Sequence, residues 1–467
     1  MVLQTVQDII DARPDLVKYF KEETGGSQLV TLISMLAPFI PPEFTNWREE
    51  QRAWRETAVL FDQSHHMSVT YLKGSDAKRM LSYLSPSTFA NLAEGRGKQY
   101  FVSSPYGHHI GDCILHYYGE KEGFELISGN PLQSWVNYHA QTGDFDVEAT
   151  RDLASPLNPS GPRRKYRFQL EGPKARTILQ EVCEGGWPEL KFFHTTYVKI
   201  AGCQVHVLRH GMAGHAGAEI SGPWDEMDTV RTAILKAGEK HGLRQGGTVT
   251  YYTTPLENGW IPTPFPAIFT GDEMEDFRKW LPARSFEGQM QVSGSYYSDN
   301  IEDYYWDAWS LGYDKFIKFD HDFIGRPAME AMLGRPHRVK RSLEWNSEDV
   351  TRVLQSQLID GPTYKAINFP NAFYGTPQAD EVLSMDGRHI GVSQWCGYSA
   401  NEKRVLSLCG IDAEFADLGT EVILIWGEKD GGSGRPSVER HEQTRIRAKV
   451  APAPFPEVSR QKIRAII

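Results

Sequence analysis

The chain has 467 residues, a formal net charge of −10 at pH 7 and five cysteines. Its length predicts two to four domains, and its acidic balance, without a long Lys/Arg run, argues against nucleic acid as a partner. An odd number of cysteines with no C-x-x-C pair is typical of neither a disulfide framework nor a zinc finger, and it fits a reducing cytosol. Because no apolar stretch approaches transmembrane length and acidic residues interrupt the N-terminal segment, we expect a cytoplasmic protein that does not bind membranes.

Helical and strand-like patterns alternate along the first two thirds of the chain. The spacing of apolar residues predicts a helix over 46–60, and strand-like alternation follows over 61–74. A helix over 75–84 precedes a hairpin that turns around Pro105–Gly107, and a similar order of elements begins again with a strand at 166–172. Strands interleaved with helices and joined by hairpins predict an α+β fold rather than a doubly wound sheet. Neither a G-x-G-x-x-G motif after a strand nor a P-loop occurs, so nothing indicates a nucleotide cofactor.

The pattern changes near residue 335. From 338 onward the segments VKRSLEW, DEVLSMDG, RHIGVSQWCGYS, RVLSLCGI, TEVILIWGE and TRIRAKV alternate like short strands between turns. Such spacing predicts a β-barrel or sandwich. We therefore divide the chain into a first region, residues 1–335, and a C-terminal β-barrel domain, residues 336–467. Within that domain the tract 427–440 predicts an exposed hairpin loop.

Six segments of the chain occur in the order of a known set of motifs. They are WREEQRAWRETAVLFDQSHHM, GHHIGDCILHYY, FQLEGPKA, RHGMAGHAGAEISGP, PLENGWIP and DHDFIGRPAMEAM. Together they resemble the glycine-cleavage T-protein (aminomethyltransferase) superfamily of folate-dependent methyl and aminomethyl transferases. Within it, FDQSHHM, LENGWIPTPFPAIFTGD and SDNIEDYY are most similar to the tetrahydrofolate-dependent aryl methyl ether O-demethylases, which act on vanillate- and syringate-like lignin fragments.

This resemblance implies both a fold and an activity. The fold has two interleaved α/β sheet domains, which bind folate and substrate, followed by a β-barrel or jelly-roll-like domain. The activity is transfer of a methyl group from a methoxylated aromatic compound to tetrahydrofolate, which gives 5-methyltetrahydrofolate and a phenol. Such a displacement is accelerated by holding the reactants in attack geometry and by an acid that protonates the departing oxygen.

Tyr251 is the residue that the resemblance assigns as this acid. It lies five residues before the leucine of the L-E-x-G motif, and a tyrosine hydroxyl has a pKa close to that of the released phenol. The segment TVTYYTT (248–254) nevertheless alternates like a strand, where one of Tyr251 and Tyr252 usually faces a core. From the residues alone, core packing is the stronger alternative for Tyr251.

His65 and His66 are the other candidate catalytic residues. Neighbouring residues on a strand point to opposite faces, so at most one of them should face the pocket. A histidine there could hydrogen-bond the substrate phenol or orient the tyrosine, and the alternative is a structural histidine. No third ligand accompanies the pair at metal-site spacing, so we expect no metal.

The resemblance also names the folate-binding residues. Glu219 matches the glutamate that pairs with the pterin ring, and a carboxylate suits such an edge because it accepts two parallel hydrogen bonds. Gln169 and Trp260 match folate contacts, the tryptophan by stacking, and Ile127 matches a backbone contact. The alternative to a folate contact is an ordinary glutamate at a strand end for Glu219 and a tryptophan of the core for Trp260. Nearby glycines would let the backbone approach a flat ligand; these are Gly211, Gly214 and Gly217.

The substrate site departs from the vanillate enzymes. The resemblance assigns Gln63, Met35 and Gly129 to it, but Gly129 stands where those enzymes have an arginine that meets the aromatic carboxylate. Met35 and Ala37 stand where those enzymes have pocket tyrosines. A buried carboxylate without a partner is strongly disfavoured. Either another arginine substitutes or the substrate is a neutral methoxyphenol, and the sequence does not decide between them.

Two other functions compete with demethylation of an aryl ether. A folate-dependent enzyme for a sulfonium or amine donor is one, but the T-proteins have two successive aspartates where this chain has Asp112 and Cys113. A non-catalytic folate-binding assembly factor is the other, but the short Lys-Gly-Cys motif of such proteins is absent. A nucleophilic role for Cys113 is disfavoured because no basic neighbour would lower its pKa. The sequence leaves the oligomeric state open.

Overall fold

A computed structural model describes residues 3–24, 34–158, 161–212, 217–373, 375–432, 434–435 and 438–466. Its α-helices are Val6–Ala12, Leu16–Lys18, Trp47–Glu56, Ala77–Tyr83, Asn130–Thr142, Ala175–Val182, Met227–Gly238, Thr248–Tyr251, Thr254–Asn258, Glu275–Trp280, Arg326–Met332, Ser347–Ser356 and Glu457–Ile466. Its strands are β1 (Ala58–Asp62), β2 (Ser68–Lys73), β3 (Arg96–Ser103), β4 (His109–Tyr117), β5 (Phe124–Ser128), β6 (Glu148–Asp152), β7 (Lys165–Glu171), β8 (Thr195–Ile200), β9 (Cys203–Arg209), β10 (Ala218–Pro223), β11 (Leu243–Gly246), β12 (Val339–Trp345), β13 (Asp380–Leu383), β14 (His389–Ser399), β15 (Arg404–Ile411), β16 (Glu421–Trp426) and β17 (Thr444–Ala451). Within these ranges, no helix is both long and apolar enough to cross a bilayer.

Two sheets share the first region and are interleaved along the chain. The six-stranded sheet has the order β11-β1-β7-β10-β9-β8, and the five-stranded sheet has the order β3-β4-β5-β2-β6. The chain enters the first sheet with β1, builds the second from β2 to β6 and returns with β7. The interleaved α+β arrangement predicted from the sequence is therefore confirmed.

Strand β1 lies second from one edge of the six-stranded sheet, and its first three residues fall in the helix predicted over 46–60. The helix Trp47–Glu56 begins where the side chain of its N-cap Asn46 accepts a hydrogen bond from Arg48 N, and it ends before Ala58. Ala58–Asp62 then pairs in parallel with β11 and antiparallel with β7. A strand flanked on both sides reads as a continuous apolar run, which explains why residues 58–60 do not continue the predicted helix over 46–60.

The two sheets contact each other through charged residues. Arg167 of β7 forms an ion pair with Glu125 of β5, and His116 Nε2 of β4 lies 3.6 Å from Glu219 Oε2 of β10. Glu219 lies directly opposite Gln169 of β7 in the register of the first sheet. A polar layer therefore separates the sheets where an apolar core would be the ordinary choice, and such a layer is a common mark of a functional site.

A closed barrel with the order β12-β15-β14-β13-β16-β17 forms the C-terminal part of the chain. All six segments predicted as strands are strands, and Trp345 and Trp426 pack edge to face in the barrel core with ring centroids 5.2 Å apart. Leu256, from the first region, joins the same core. The predicted fold class is confirmed, and the boundary between residues 335 and 336 stays a proposal.

One further local prediction is wrong, and another is confirmed only in part. The segment TVTYYTT, predicted as a strand, contains the helix Thr248–Tyr251. The tract 427–440 does join two barrel strands, but Arg435 and Val438 are buried rather than exposed. Arg435 Nη2 donates a hydrogen bond to Phe20 O over 2.7 Å, so this part of the loop packs on the N-terminal segment.

Candidate active site

The short helix that carries Tyr251 is held by one buried carboxylate. Glu50 Oε2 accepts hydrogen bonds from Gly247 N (2.8 Å) and Thr250 Oγ1 (2.7 Å). Glu50 Oε1 accepts from the backbone N–H groups of Phe44 and Thr45. Glu50 thereby joins the loop before the helix Trp47–Glu56 to the start of the helix that ends at Tyr251.

The same loop passes close to this helix. The amide of Thr248 donates to Pro41 O over 3.2 Å, and that of Val249 donates to Pro42 O over 3.1 Å. A Cβ on Gly247 would lie 2.1 Å from Pro42 O, so only glycine permits the approach. These backbone bonds use the free N–H groups at the helix start, and they override the strand propensity of the threonines and valine.

The hydroxyl of Tyr251 contacts two of the other predicted site residues. Gln63 Nε2 donates to it over 3.2 Å, and His66 Nε2 lies 3.1 Å from it. Burial lowers the pKa of His66 to about 3, so its ring is neutral near pH 7. Burial raises the pKa of Tyr251 above its usual value. The tyrosine keeps its proton at neutral pH, but burial also makes it a weaker acid, so the hydrogen bond from Gln63 is what would stabilise its oxygen once the proton leaves.

A cleft opens beside this tyrosine. The space between its walls, including the solvent at its open mouth, is about 250 Å³. The lining residues are mostly apolar and aromatic: Leu36, Ile40, Phe61, Asp62, His66, Gly246, Gly247, Thr248, Tyr251 and Tyr252. The carboxylate of Asp62 is neutralised by Arg231, whose Nη2 lies 2.6 Å from Asp62 Oδ2. The walls of the cleft therefore present apolar and aromatic surface beside the Tyr251 hydroxyl.

His65 does not share the position of His66. The two histidines lie in a turn rather than on a strand. His65 Nδ1 is 2.9 Å from Ser155 Oγ, and its ring stacks on Phe39 with centroids 5.0 Å apart. Its ring nitrogen Nε2 lies 3.8 Å from Asp62 Oδ2. This packing is typical of a structural histidine. None of these contacts is with Tyr251, and the catalytic role of His65 stays a prediction.

The other predicted substrate residues are less engaged. Met35 is half-buried next to Leu36, which lines the cleft. Gly129 is exposed at the N-cap of the helix Asn130–Thr142, and a Cβ added there would meet no atom within 4 Å. The position that carries an arginine in the vanillate enzymes is therefore open space here.

Glu219 lies at the centre of the polar layer between the sheets. Arg167 Nη1 donates to Glu219 Oε2 over 2.9 Å, and Arg167 also bonds Glu125. Burial alone would raise the pKa of Glu219, but the Arg167 guanidinium and His116 hold it down at about 2. Glu219 is therefore ionised at neutral pH, and no residue in the described ranges bonds its second oxygen.

Gln169 lies beside Glu219 and is fully buried. Its Nε2 donates to Glu171 Oε1 over 2.6 Å, and Oε1 of Gln169 has no hydrogen-bond partner among the described residues. Glu171 Oε2 and His210 Nδ1 are also buried without a partner in the described part of the chain. Buried polar atoms are seldom left unpaired, so this group of atoms points to a polar ligand.

Trp260 contacts the five-stranded sheet at Asp112 of β4. Its Nε1 donates to Asp112 Oδ2 over 2.9 Å, and the hydroxyl of Tyr313 donates to the same oxygen. The tryptophan is 39% exposed, so its ring has free surface for stacking. Burial raises the pKa of the neighbouring Cys113 thiol well above its usual value, which makes this cysteine unreactive.

The remaining predicted folate residues give less information. Ile127 is buried in the middle of the five-stranded sheet and pairs with Val69 and Ile114. Gly217 borders Glu171, and Gly214 lies outside the described residues. In the described ranges, no group of three or more His, Cys, Asp or Glu side chains is arranged to hold a metal ion.

Sequence reasoning missed four residues of the polar layer: Arg167, Glu125, His116 and Glu171. Each lies on a strand that also carries apolar residues. A charged residue inside an otherwise apolar strand is the one signal that could have identified them, since such a residue needs a buried partner.

Comparisons with known proteins identify the family and the fold. Residues 17–263 match the family of GCVT N-terminal domains. The fold is similar to the crystal structure of glycine cleavage system aminomethyltransferase T from Bartonella henselae, with a TM-score of 0.60 at 17% identity over 90% of this chain and 92% of that one. Fold and site therefore define a protein of the T-protein class.

Two relatives narrow the class. Syringate O-demethylase from Sphingobium sp. strain SYK-6 is 43% identical over 457 residues, which cover 98% of this chain and 97% of that protein. Sesamin methylene transferase from Sinomonas sp. strain No.22 is 26% identical over 83% of this chain and 86% of that protein. The chain belongs to the GCVT family, in the branch that contains syringate O-demethylase, and the resemblance inferred from its motifs is confirmed.

Proposed function

We propose that the protein is a cytosolic O-demethylase that transfers the methyl group of a methoxylated aromatic compound to tetrahydrofolate. The observation that carries this proposal is the Tyr251 hydroxyl, which stands in an aromatic cleft between Gln63 and His66. A similar protein that covers almost the whole chain is named syringate O-demethylase, which supports the same reaction class.

The residues of the polar layer fit a bound folate. Glu219 offers an ionised carboxylate with one oxygen still open, and Gln169 offers an unpaired buried carbonyl oxygen. Both are hydrogen-bond acceptors and suit the run of N–H groups along the nitrogen-rich edge of a pterin ring. Trp260 has free ring surface for an aromatic group. When bound, tetrahydrofolate supplies the nitrogen nucleophile that accepts the methyl group.

The residues of the cleft act on the departing oxygen. When the bond between the methyl carbon and the ether oxygen breaks, negative charge builds on that oxygen, and Tyr251 donates its proton there to give the phenol. The proton that the folate nitrogen would give up on methylation restores the tyrosine, so the net change is exchange of a methyl group for a proton. Gln63 Nε2 keeps donating a hydrogen bond to the tyrosine oxygen, which offsets the charge that develops on it. Proton donation of this kind is worth roughly 10²–10⁴-fold in rate.

The site disfavours an amine or sulfonium donor. The position of the second aspartate of the T-proteins is Cys113, a buried thiol that burial keeps protonated. Asp112 is occupied by hydrogen bonds from Gln99, Trp260 and Tyr313. Of the two successive carboxylates of the T-proteins, this chain therefore keeps one, Asp112, and burial raises the pKa of that side chain.

The proposal is tested by incubating the purified protein with tetrahydrofolate and a panel of methoxylated aromatics. The panel pairs each benzoate with its neutral phenol, and mass spectrometry follows 5-methyltetrahydrofolate. We expect methylated folate and the matching phenol in equal amounts. Turnover of only a sulfonium or amine donor, with no methyl transfer from any aromatic, would overturn the proposal.

A further inference from the structure

Two polar side chains at the end of β7 face the proposed pterin site together. Gln169 and Glu171 are two residues apart on the strand and lie on one face, and both are completely buried. Gln169 Nε2 donates to Glu171 Oε1 over 2.6 Å, and Met212 N donates to the same oxygen over 2.7 Å. Glu171 Oε1 therefore already accepts two hydrogen bonds.

The other side-chain oxygen of each residue accepts no hydrogen bond from the described residues. Gln169 Oε1 and Glu171 Oε2 have no hydrogen-bond partner in the described part of the chain. A buried polar atom without a hydrogen-bond partner destabilises the fold. A ligand that forms hydrogen bonds with both atoms would remove this free-energy cost. Gly217 leaves room for this arrangement, because a Cβ there would lie 2.7 Å from the carboxyl carbon of Glu171.

The surroundings of Glu171 favour its neutral form. Burial raises the pKa of Glu171 to about 8, and the negative charge of Glu219 on β10 adds to the shift. Strand β1 presents the apolar Val59 opposite Glu171. His210, whose backbone oxygen accepts a hydrogen bond from Gln169, has a pKa lowered by burial, so it brings no compensating positive charge.

We propose that Glu171 binds the pterin as a neutral carboxylic acid: its Oε2–H donates a hydrogen bond while the adjacent Gln169 Oε1 accepts one. This inference rests on the proposed function. Because Glu171 Oε1 is already engaged, the proton resides on Oε2, and the two side chains present one donor and one acceptor. An amide-like edge of the pterin, with a carbonyl next to a ring N–H, has the matching acceptor and donor.

Ionisation of Glu171 removes the donor and places a second carboxylate beside Glu219. Folate affinity of the wild-type protein should therefore fall as the pH rises through about 8. Glu171→Gln keeps a donor at this position without a titrating group. We expect its dissociation constant at pH 7 to stay within about threefold of the wild type and to change little up to pH 9.

The test measures the dissociation constant of tetrahydrofolate between pH 6.5 and 9 by isothermal titration calorimetry under anaerobic conditions. Glu171→Gln, Glu171→Ala and wild type are compared, and thermal melting without folate checks that each variant folds. We expect at least about tenfold weaker binding for Glu171→Ala at pH 7, as for loss of a buried hydrogen bond. Glu171→Gln serves as the control for any titration of folate itself.

Identical pH profiles of wild type and Glu171→Gln would overturn the inference and leave the proposed function intact. Absence of folate binding by the wild type at every pH would instead overturn the proposed function. If Glu171→Ala does not fold, the comparison of wild type with Glu171→Gln still decides the question.

Discussion

Tyr251 is the residue on which the proposed chemistry depends most directly. Its hydroxyl contacts both Gln63 and His66. We expect Tyr251→Phe to lower kcat at least about tenfold, because the departing oxygen loses its proton donor. Folate affinity should stay unchanged, since Glu219 and Gln169 lie in the layer between the sheets.

Steady-state kinetics and folate titration check this prediction. Tyr252→Phe is the matched control, because Tyr252 lines the same cleft and has no assigned role as acid. Equal turnover of Tyr251→Phe and wild type would remove the acid role from Tyr251.

The residue scale also shows how far sequence can lead. The pairing of Tyr251 with one of two histidines was expected, but which histidine was not. The turn that contains both histidines directs His66 to the tyrosine and His65 to Ser155. The alternation of side chains along a strand could not predict which histidine faces the tyrosine, because the two residues are not on a strand. Arg167 and Glu125 were missed because their partners come from the opposite sheet, and no local pattern encodes that contact.

At the scale of elements, Glu50 positions the helix that carries Tyr251, the proposed acid. It is fully buried and links the loop at Phe44 to Gly247 and Thr250. Glu50→Gln replaces one carboxylate oxygen by an NH2 group. Because that group cannot accept a hydrogen bond, the N–H or O–H donors that face it lose their acceptor. We expect turnover to fall at least about tenfold and the free energy of unfolding to fall by about 1–3 kcal/mol.

Glu49→Gln is the control for this change. Glu49 is the neighbouring residue on the same helix, but it is exposed and bonds only Arg52, three residues away. Exposed pairs of this kind contribute little, so its turnover and urea midpoint should match the wild type. A Glu50→Gln protein with normal kcat would show that the helix start does not depend on this carboxylate.

The same region explains the main error in predicting elements. The residues of TVTYYTT favour a strand, yet the carbonyls of Pro41 and Pro42 and the carboxylate of Glu50 bind the start of a helix there. Tertiary contacts decided the outcome. The six barrel strands were predicted correctly because each has an alternating pattern and a turn at its ends, and both signals are local.

At the scale of the whole molecule, the barrel and the sheets meet at the site. Asn371 Nδ2 donates to Val249 O over 3.3 Å, and Trp395 Nε1 donates to Tyr252 O over 2.9 Å. Both barrel residues therefore bind the backbone on either side of Tyr251. The barrel, which carries none of the predicted site residues, helps to position the acid.

The folded protein also buries neutral histidines, and this makes its stability sensitive to acid. His109 is 2% exposed, and burial lowers its pKa to about 3. Below its usual pKa of about 6.5 the unfolded chain binds a proton that the folded chain does not, so the free energy of unfolding decreases as the pH falls from about 6.5 toward 3. The slope is about 1.4 kcal/mol per pH unit for one such group.

His109→Gln tests this consequence, because glutamine cannot take up the proton. Urea unfolding followed by tryptophan fluorescence at pH 7.5 and pH 5 gives the stability of both proteins. Between pH 7.5 and pH 5, we expect the free energy of unfolding of the variant to rise by about 2 kcal/mol relative to that of the wild type. The reason is that only the wild type loses stability through protonation at this site. At pH 7.5 the histidine is neutral in both states, so that measurement isolates the packing effect of the substitution. A difference that stays constant between the two pH values would mean that His109 is protonated equally in the folded and unfolded chain.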